Sequence, residues 1–207
     1  MLLVNNLSFK RNNNIIFHNI SFSVGSKKII HLTGKNGSGK TTLIKLLAQI
    51  LLPSQGDIFW NGKKIKKNIF DFYKNTSLIM DTHSANLNLT IGENIFFWKK
   101  LSSSSINIKE TNAILELLLL KQYINTPVGY LSRGEIKKLE LSRLILEQKK
   151  LWVLDEPYSG LDESTIKLVN ETFINHIDNS GMIVLSSHYL PQINNFESIN
   201  LENYADY

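Results

Sequence analysis

Cysteine is absent from this 207-residue chain, which excludes disulfides, thiolate zinc sites and thiol nucleophiles and accords with a reducing compartment. Long apolar runs are absent as well. The longest candidate, residues 114–120 (ILELLLL), is interrupted by Glu116 and falls short of the roughly 18 residues that a membrane-spanning helix needs. The opening segment MLLVNNLSFK lacks the basic start and extended apolar stretch of a secretory signal. Internal repeats and linker-like tracts are missing too, with SSSS at residues 102–105 the nearest approach. These absences predict a soluble or membrane-peripheral protein. What is present suffices for a core: 43% hydrophobic residues in 23.7 kDa imply one large domain, or a domain with a subdomain.

The formal net charge is +5 and the isoelectric point is near 9.2, a balance that favours anionic partners. Lysines cluster at positions 27–28, 63–67, 99–100, 137–138 and 149–150, scattered along the chain instead of forming one stripe. That scatter reads first as solvated loop and helix ends and second as attraction to an anionic membrane surface; no specific nucleic-acid partner is expected. The richness in Asn, Ile and Lys is what AT-rich coding produces, as in an organelle or an intracellular bacterium.

Patterning along the chain alternates between two periods. The first 25 residues alternate loosely, as short antiparallel strands do. Residues 29–33 (IIHLT) form a compact apolar run that stops at Gly34, and residues 42–52 read as a helix ended by Pro53. Residues 57–60 suggest a strand with Asn61-Gly62 as its hairpin turn. Between residues 94 and 123 the period becomes helical, with Ile114, Leu115, Leu118 and Leu119 on one face, and residues 139–146 continue as helix. LWVL (151–154) and MIVL (182–185) have the fully apolar composition of buried parallel strands, separated by a helical stretch over 163–177. Strands alternating with helices predict an α/β architecture.

Residues 34–42, GKNGSGKTT, satisfy G-x-x-x-x-G-K-[ST] between a strand and a helix. Here Gly34, Lys35, Asn36, Gly37, Ser38 and Gly39 let successive backbone N–H groups and a helix N-terminus face phosphate oxygens. Lys40 is expected to reach the β- and γ-phosphates, the Thr41 hydroxyl to coordinate Mg²⁺, and Thr42 to contact the α-phosphate side. LWVLDEP then places Asp155 and Glu156 directly after a buried strand. Asp155 is expected to hold Mg²⁺ through water, and Glu156 to orient and deprotonate an attacking water. Read alone, the acidic pair is an exposed turn; with the upstream phosphate loop it becomes a site for Mg-ATP.

LSRGE at residues 131–135 distinguishes among phosphate-loop classes. On its own it could be a simple helix cap, with Ser132 capping and Glu135 at the third helical position. With the other motifs it resembles the LSGGQ signature of the ABC ATPases, keeping Leu131, Ser132 and Gly134 while carrying Arg133 and Glu135 at variable places. The resemblance implies that Ser132 and Gly134 contact the γ-phosphate of a partner subunit's ATP. It further implies that SGLD, ending at Asp162, couples the two sites, and that His188 in LSSHYL is the switch histidine. LTIGEN (89–94) matches the segment after the family's Q-loop, but the glutamine position itself holds Asp81, a shorter candidate Mg²⁺ contact, with His83 nearby. No adenine-stacking aromatic aligns; Phe9, Arg11 and Phe17 are the candidates.

The resemblance covers residues 1 to about 190. It implies an α/β P-loop NTPase fold with a mostly parallel core sheet, an N-terminal antiparallel β-subdomain and a helical subdomain at roughly 85–145, the whole chain 1–207 forming one ATPase domain. Small size, the absence of a C-terminal regulatory domain, and the blocks GENIFFW, LWVLDEPYSGLD and GMIVLSSH are similar to the ATP-binding subunits of the haem exporter of cytochrome c maturation. That similarity implies an ATPase working as a homodimer with integral-membrane permease subunits. It would lie peripherally on the cytoplasmic face of the inner membrane, or on the matrix face in a mitochondrion. Rival readings are a non-transport ABC ATPase acting as a soluble assembly factor, the ATPase of another small exporter, and a nucleotide-binding module without turnover.

Overall fold

The computed structural model describes residues 1–12, 14–193 and 196–205. In chain order the strands are β1 (Leu2–Arg11), β2 (Asn14–Val24), β3 (Lys28–Thr33), β4 (Gln55–Trp60), β5 (Lys63–Lys64), β6 (Thr76–Ile79), β7 (Leu151–Asp155), β8 (Met182–Ser186) and β9 (Phe196–Asn200). The helices are α1 (Lys40–Leu47), α2 (Ile69–Lys74), α3 (Ile91–Ser102), α4 (Ile108–Leu117), α5 (Arg133–Leu146) and α6 (Glu163–Asp178).

Two sheets result. One is antiparallel in the order β2-β1-β4-β5. Its β4–β5 hairpin turns at Asn61 and Gly62, both at positive φ (49° and 79°), the geometry a two-residue turn demands. The other has the order β6-β7-β8-β3-β9 with every neighbouring pair parallel. Both β7 and β8 are buried along their whole length, because helices cover the two faces of a parallel sheet.

Three apolar clusters hold the molecule. The first lies between the two sheets around α1 and includes Leu43, Ile44, Leu46 and Leu47 with Phe17, Ile30, Val153 and Val184. The second lies across the parallel sheet, where Leu141 and Leu144 meet Trp152, Phe173 and Ile183. The third gathers α3, α4 and α5 around Ile95, Trp98, Leu115, Leu139 and Leu146. Helix α5 therefore contributes to two clusters, joining the helical part to the sheet that carries the candidate site. Each fully buried Leu or Ile contributes about 1.5–3 kcal/mol of transfer free energy.

Helix starts follow the sequence more closely than helix ends. Thr90, Asn107 and Ser132 each open a helix with a reciprocal capping box to Glu93, Glu110 and Glu135. By contrast α1 stops at Leu47 instead of running to residue 52, and Leu119 leaves the apolar face expected of it. The cause is the same in both. Gln49 and Leu119 turn left-handed, each at φ 58°, and the backbone closes a double bond pattern behind them. Gln49 N–H donates to Leu46 O at 3.0 Å and Ile50 N–H to Lys45 O at 2.9 Å; Leu119 N–H donates to Glu116 O at 3.0 Å and Leu120 N–H to Leu115 O at 2.8 Å. These are Schellman closures built without glycine. Leu119 is 70% exposed, so it keeps the left-handed penalty of about 1–2 kcal/mol with little burial to offset it. Leu119→Gly is expected to stabilise the chain by about 1 kcal/mol, raising the thermal midpoint by about 2–4 °C. Calorimetry showing a loss instead would mean that the turn is not left-handed in solution. Among the described residues no helix is long and apolar enough to cross a membrane.

Candidate active site

Strands β3, β7 and β8 lie side by side and parallel, so the segments that follow them emerge at one edge of the sheet, the place where open α/β sheets bind ligands. After β3 the chain enters the glycine loop and then α1. Gly39 sits at φ 98° as the residue before the helix. A Cβ there would lie 2.8 Å from Ile16 Cγ2 and 3.0 Å from Phe17 Cδ1, so both conformation and space require glycine. The N-terminus of α1 has no side-chain cap and no acidic residue in its first turn. Its N–H groups and the positive end of its dipole are thus left to an anion.

Lys40 is buried at 7% exposure and its Nζ donates to Gly34 O at 2.7 Å and Lys35 O at 3.2 Å. The ammonium lashes the loop into a ring and lies 3.4 Å from His188 Nε2. Lys35, Asn36 and Gly37 form the exposed apex, with Ser38, Gly39 and Thr42 half-buried beneath it. On the apex, Lys35 N–H donates to Glu202 Oε1 at 2.7 Å.

The end of β7 supplies the acidic groups and the end of β8 supplies hydrogen-bond partners for them. Asp155 is 2% exposed; its Oδ1 accepts from Ser186 Oγ at 2.5 Å and from Thr41 Oγ1 at 3.2 Å. Glu156, next along, adopts φ 46°, a strained left-handed conformation for a non-glycine residue. This turn is held by Glu156 N–H donating to Ser186 O at 3.0 Å. The Glu156 carboxylate accepts from His188 N–H at 3.3 Å and lies 3.7 Å from His188 Nε2. Burial holds its carboxyl above the ordinary range, while the hydrogen bond and charge of His188 and the charge of Lys40 pull it back down. A carboxylate raised in this way binds a proton more readily than a free glutamate does.

The structure thus brings Lys40, Thr41, Asp155, Glu156 and His188 together. It places the other sequence candidates elsewhere. Ser132 uses its hydroxyl in its own cap, donating to Glu135 Oε2 at 2.7 Å and accepting from Glu135 N–H at 3.3 Å. A Cβ on Gly134 would lie 3.4 Å from Gly160 O, so the signature turn adjoins the SGLD turn. Asp162 caps α6, accepting from Thr165 N–H at 2.7 Å, and the bonds of that cap lower its carboxyl to about 2. Asp81 is 60% exposed, with Lys137 Nζ 4.0 Å away, and His83 is exposed. Phe17 is fully buried and cannot stack on a base; its ring packs against half-buried Phe9 at 6.4 Å between centroids, while Arg11 is exposed. Sequence reasoning missed Ser186, which orients Asp155, and Lys137 and Glu202, because single serines, lysines and glutamates carry no pattern.

For Mg²⁺ the donor set fits. A hydroxyl and a buried carboxylate converge, both hard oxygen ligands, and among the described residues Asp155 takes part in no ion pair although it is almost wholly desolvated. A buried carboxylate with hydroxyl donors alone calls for a cation.

The chain is also similar in sequence and fold to known proteins. A profile of the ABC transporter family matches residues 17–159. The cytochrome c biogenesis ATP-binding export protein CcmA of Reclinomonas americana is 36% identical over 190 residues, spanning 90% of this chain and 84% of that protein. The protein of the same name in Vibrio vulnificus strain YJ016 is 30% identical over 188 residues, spanning 91% and 92%. An ABC transporter ATP-binding protein of Pyrococcus furiosus shares the fold, with a TM-score of 0.86 at 22% identity over 99% of both chains. With the phosphate loop, the acidic strand end and the signature turn in these places, the chain belongs to the ABC transporter family, as an ATP-binding and hydrolysing subunit.

Proposed function

We propose that this chain is the ATPase of an export complex of cytochrome c biogenesis, the haem exporter, and that two copies close head-to-tail on two Mg-ATP molecules. The observation that carries the mechanism is a division of the site. Lys40, Thr41, Asp155, Glu156 and His188 meet at one sheet edge, while Ser132 turns its hydroxyl to its own helix cap. A single copy then offers the phosphate cradle and the base, and needs the signature turn of a second.

In this reading the α1 N-terminus and the loop N–H groups bind the phosphates, and Lys40 neutralises charge on the β- and γ-groups. Thr41 and Asp155 would hold Mg²⁺, which when bound spreads the negative charge that develops on the phosphates. Glu156 takes the proton of the attacking water, and the His188 side chain, 3.4 Å from Lys40, senses whether a γ-phosphate is present. Ser132 and Gly134 of each copy close on the other's nucleotide, and Asp162 lies at the turn beside Gly134. Loss of the γ-phosphate then reopens the pair.

The permease partners would be small integral-membrane subunits docking beside the loop over 81–94, which puts the chain on the cytoplasmic face of the inner membrane, or the matrix face in a mitochondrion. The relatives' names as export proteins of cytochrome c biogenesis support that assignment. Phosphate release measured at several protein concentrations, with association followed by light scattering, tests the pairing: specific activity should rise with concentration. Activity independent of concentration across the dimerisation range would overturn it. Recovery in the soluble fraction, with no membrane protein co-purifying from cells expressing the whole operon, would point to a soluble assembly factor.

A further inference from the structure

Helix α5 starts at the Ser132 cap and carries, within its first two turns, a lysine that none of the roles above uses. The Lys137 side chain is 9% exposed and its Nζ is buried without a hydrogen-bond partner. The nearest carboxylate oxygen in an ion pair with it is Asp81 Oδ1 at 4.0 Å. An ammonium has three protons to donate, and burying one unbonded is strongly unfavourable unless a charge offsets it. Burial lowers the tendency of Lys137 to stay charged, and Asp81, Asp155, Glu140 and Glu156, in that order, raise it. Strands β6 and β7 end side by side, Ile79 opposite Leu154, so Asp81, paired with Lys137, and the Asp155–Glu156 pair follow neighbouring strand ends.

The loop that bears Asp81 is held unevenly. At its far end Glu140, also on α5, accepts from Ser84 N–H at 2.6 Å and Ala85 N–H at 2.7 Å, and Arg143 donates to Ser84 Oγ at 2.7 Å. At its near end the only such tie among the described residues is the long one to Lys137. Asp81, Asp155 and Glu156 thus follow adjacent strand ends, where like charges disfavour one another unless a cation lies among them.

We propose that Lys137 is a positioning residue for ATP hydrolysis, its buried ammonium being the fixed charge that draws the Asp81 end of the 81–85 loop against the Asp155–Glu156 strand end. The inference rests on Asp155 and Glu156 being the hydrolytic pair. A lysine kept unbonded in this way lowers the stability of the folded chain and serves the reaction, so the two properties should move in opposite directions when it is removed.

The test uses the full chain, with thermal midpoints measured without nucleotide and kinetics measured alone and in the membrane complex. Lys137→Met is expected to raise the midpoint by about 2–4 °C and to lower kcat by about tenfold to a hundredfold, with KM for ATP within about twofold. Lys137→Arg should retain most of kcat. Adding Asp81→Asn to Lys137→Met should restore much of the loss, since the carboxylate that needed the cation is gone. Midpoint and kcat falling together would mark a structural lysine and overturn the proposal, as would an unchanged kcat. Failure of Asp81→Asn to restore activity would overturn the pairing. Glu156→Gln run in parallel separates the two readings: hydrolysis surviving in that variant would remove the site assignment itself, whereas a dead Glu156→Gln beside an unaffected Lys137→Met would remove this inference alone.

Discussion

Glu156→Gln is expected to lower the rate of ATP hydrolysis by about 10²–10⁴-fold while leaving ATP binding intact. The substitution changes one oxygen to nitrogen in a half-buried side chain, so shape is preserved and the proton acceptor is lost. It also preserves a partner for His188 N–H, which the carboxylate accepts at 3.3 Å. The variant should not lose stability at neutral pH. Because burial raises the Glu156 carboxyl above its ordinary 4.5, the fold favours its protonated form; that contribution is complete below the unfolded value and is lost as pH rises through the folded one. The neutral amide escapes the loss. A thermal midpoint at pH 7.5 equal to or above that of the wild type, with the gap narrowing towards acid, would separate a chemical defect from a folding one. With hydrolysis blocked, ATP should also trap the closed pair, visible as an ATP-dependent doubling of mass in light scattering. Turnover within a few-fold of the wild type would show that another group takes the proton.

Lys40→Met carries the second large effect. The ammonium donates to Gly34 O and Lys35 O, so in the ATP-free chain it already holds the loop in a cradle around its own charge. Removing it takes away both the internal strap and the cation that faces the phosphates. Hydrogen bonds to charged groups contribute about 1.5–3 kcal/mol each, and 1.4 kcal/mol is a factor of ten in binding. ATP affinity is therefore expected to fall by about a hundredfold, and turnover to vanish with it. Titration calorimetry with ATP would check the first and phosphate release the second. Affinity within about threefold of the wild type would mean that the backbone N–H groups and the α1 terminus hold the phosphates by themselves.

Much of the architecture was legible because its signals are periodic. The apolar runs at 29–33, 151–154 and 182–185 became β3, β7 and β8, neighbours in the parallel sheet, and the motif after each run reached the same edge. Glycine loops and acidic strand ends announce themselves since few residue types can do their work. Helix ends were less legible. At Gln49 and Leu119 the left-handed turn is made by residues with no preference for it, so the chain offers no glycine to read. The one-letter pattern also misplaced Phe17, which looked free to meet a base and lies in the core beneath Gly39. Lys137 was invisible for a different reason: a lysine in a basic pair reads as solvated, and only the packing of α5 against the strand ends buries it.

The box at the start of α5 would give the proposed pair a return spring. Ser132 has one hydroxyl proton, and Glu135 Oε2 receives it at 2.7 Å. In the sandwich proposed above, the same proton is wanted by the γ-phosphate of the opposite copy, and a carboxylate and a phosphate cannot share it at one helix end without repulsion. Closing would thus take from each subunit the Ser132–Glu135 side-chain bond of its box, while the cap itself, Ser132 Oγ accepting from Glu135 N–H at 3.3 Å, stays in place. A hydrogen bond to a charged group contributes about 1.5–3 kcal/mol when buried and less at an exposed helix end, too little to prevent closure on two nucleotides yet a steady pull toward the open state once the γ-phosphates have gone. In that sandwich the hydroxyl that grips the fuel would be the one that, left to itself, lets the subunits part.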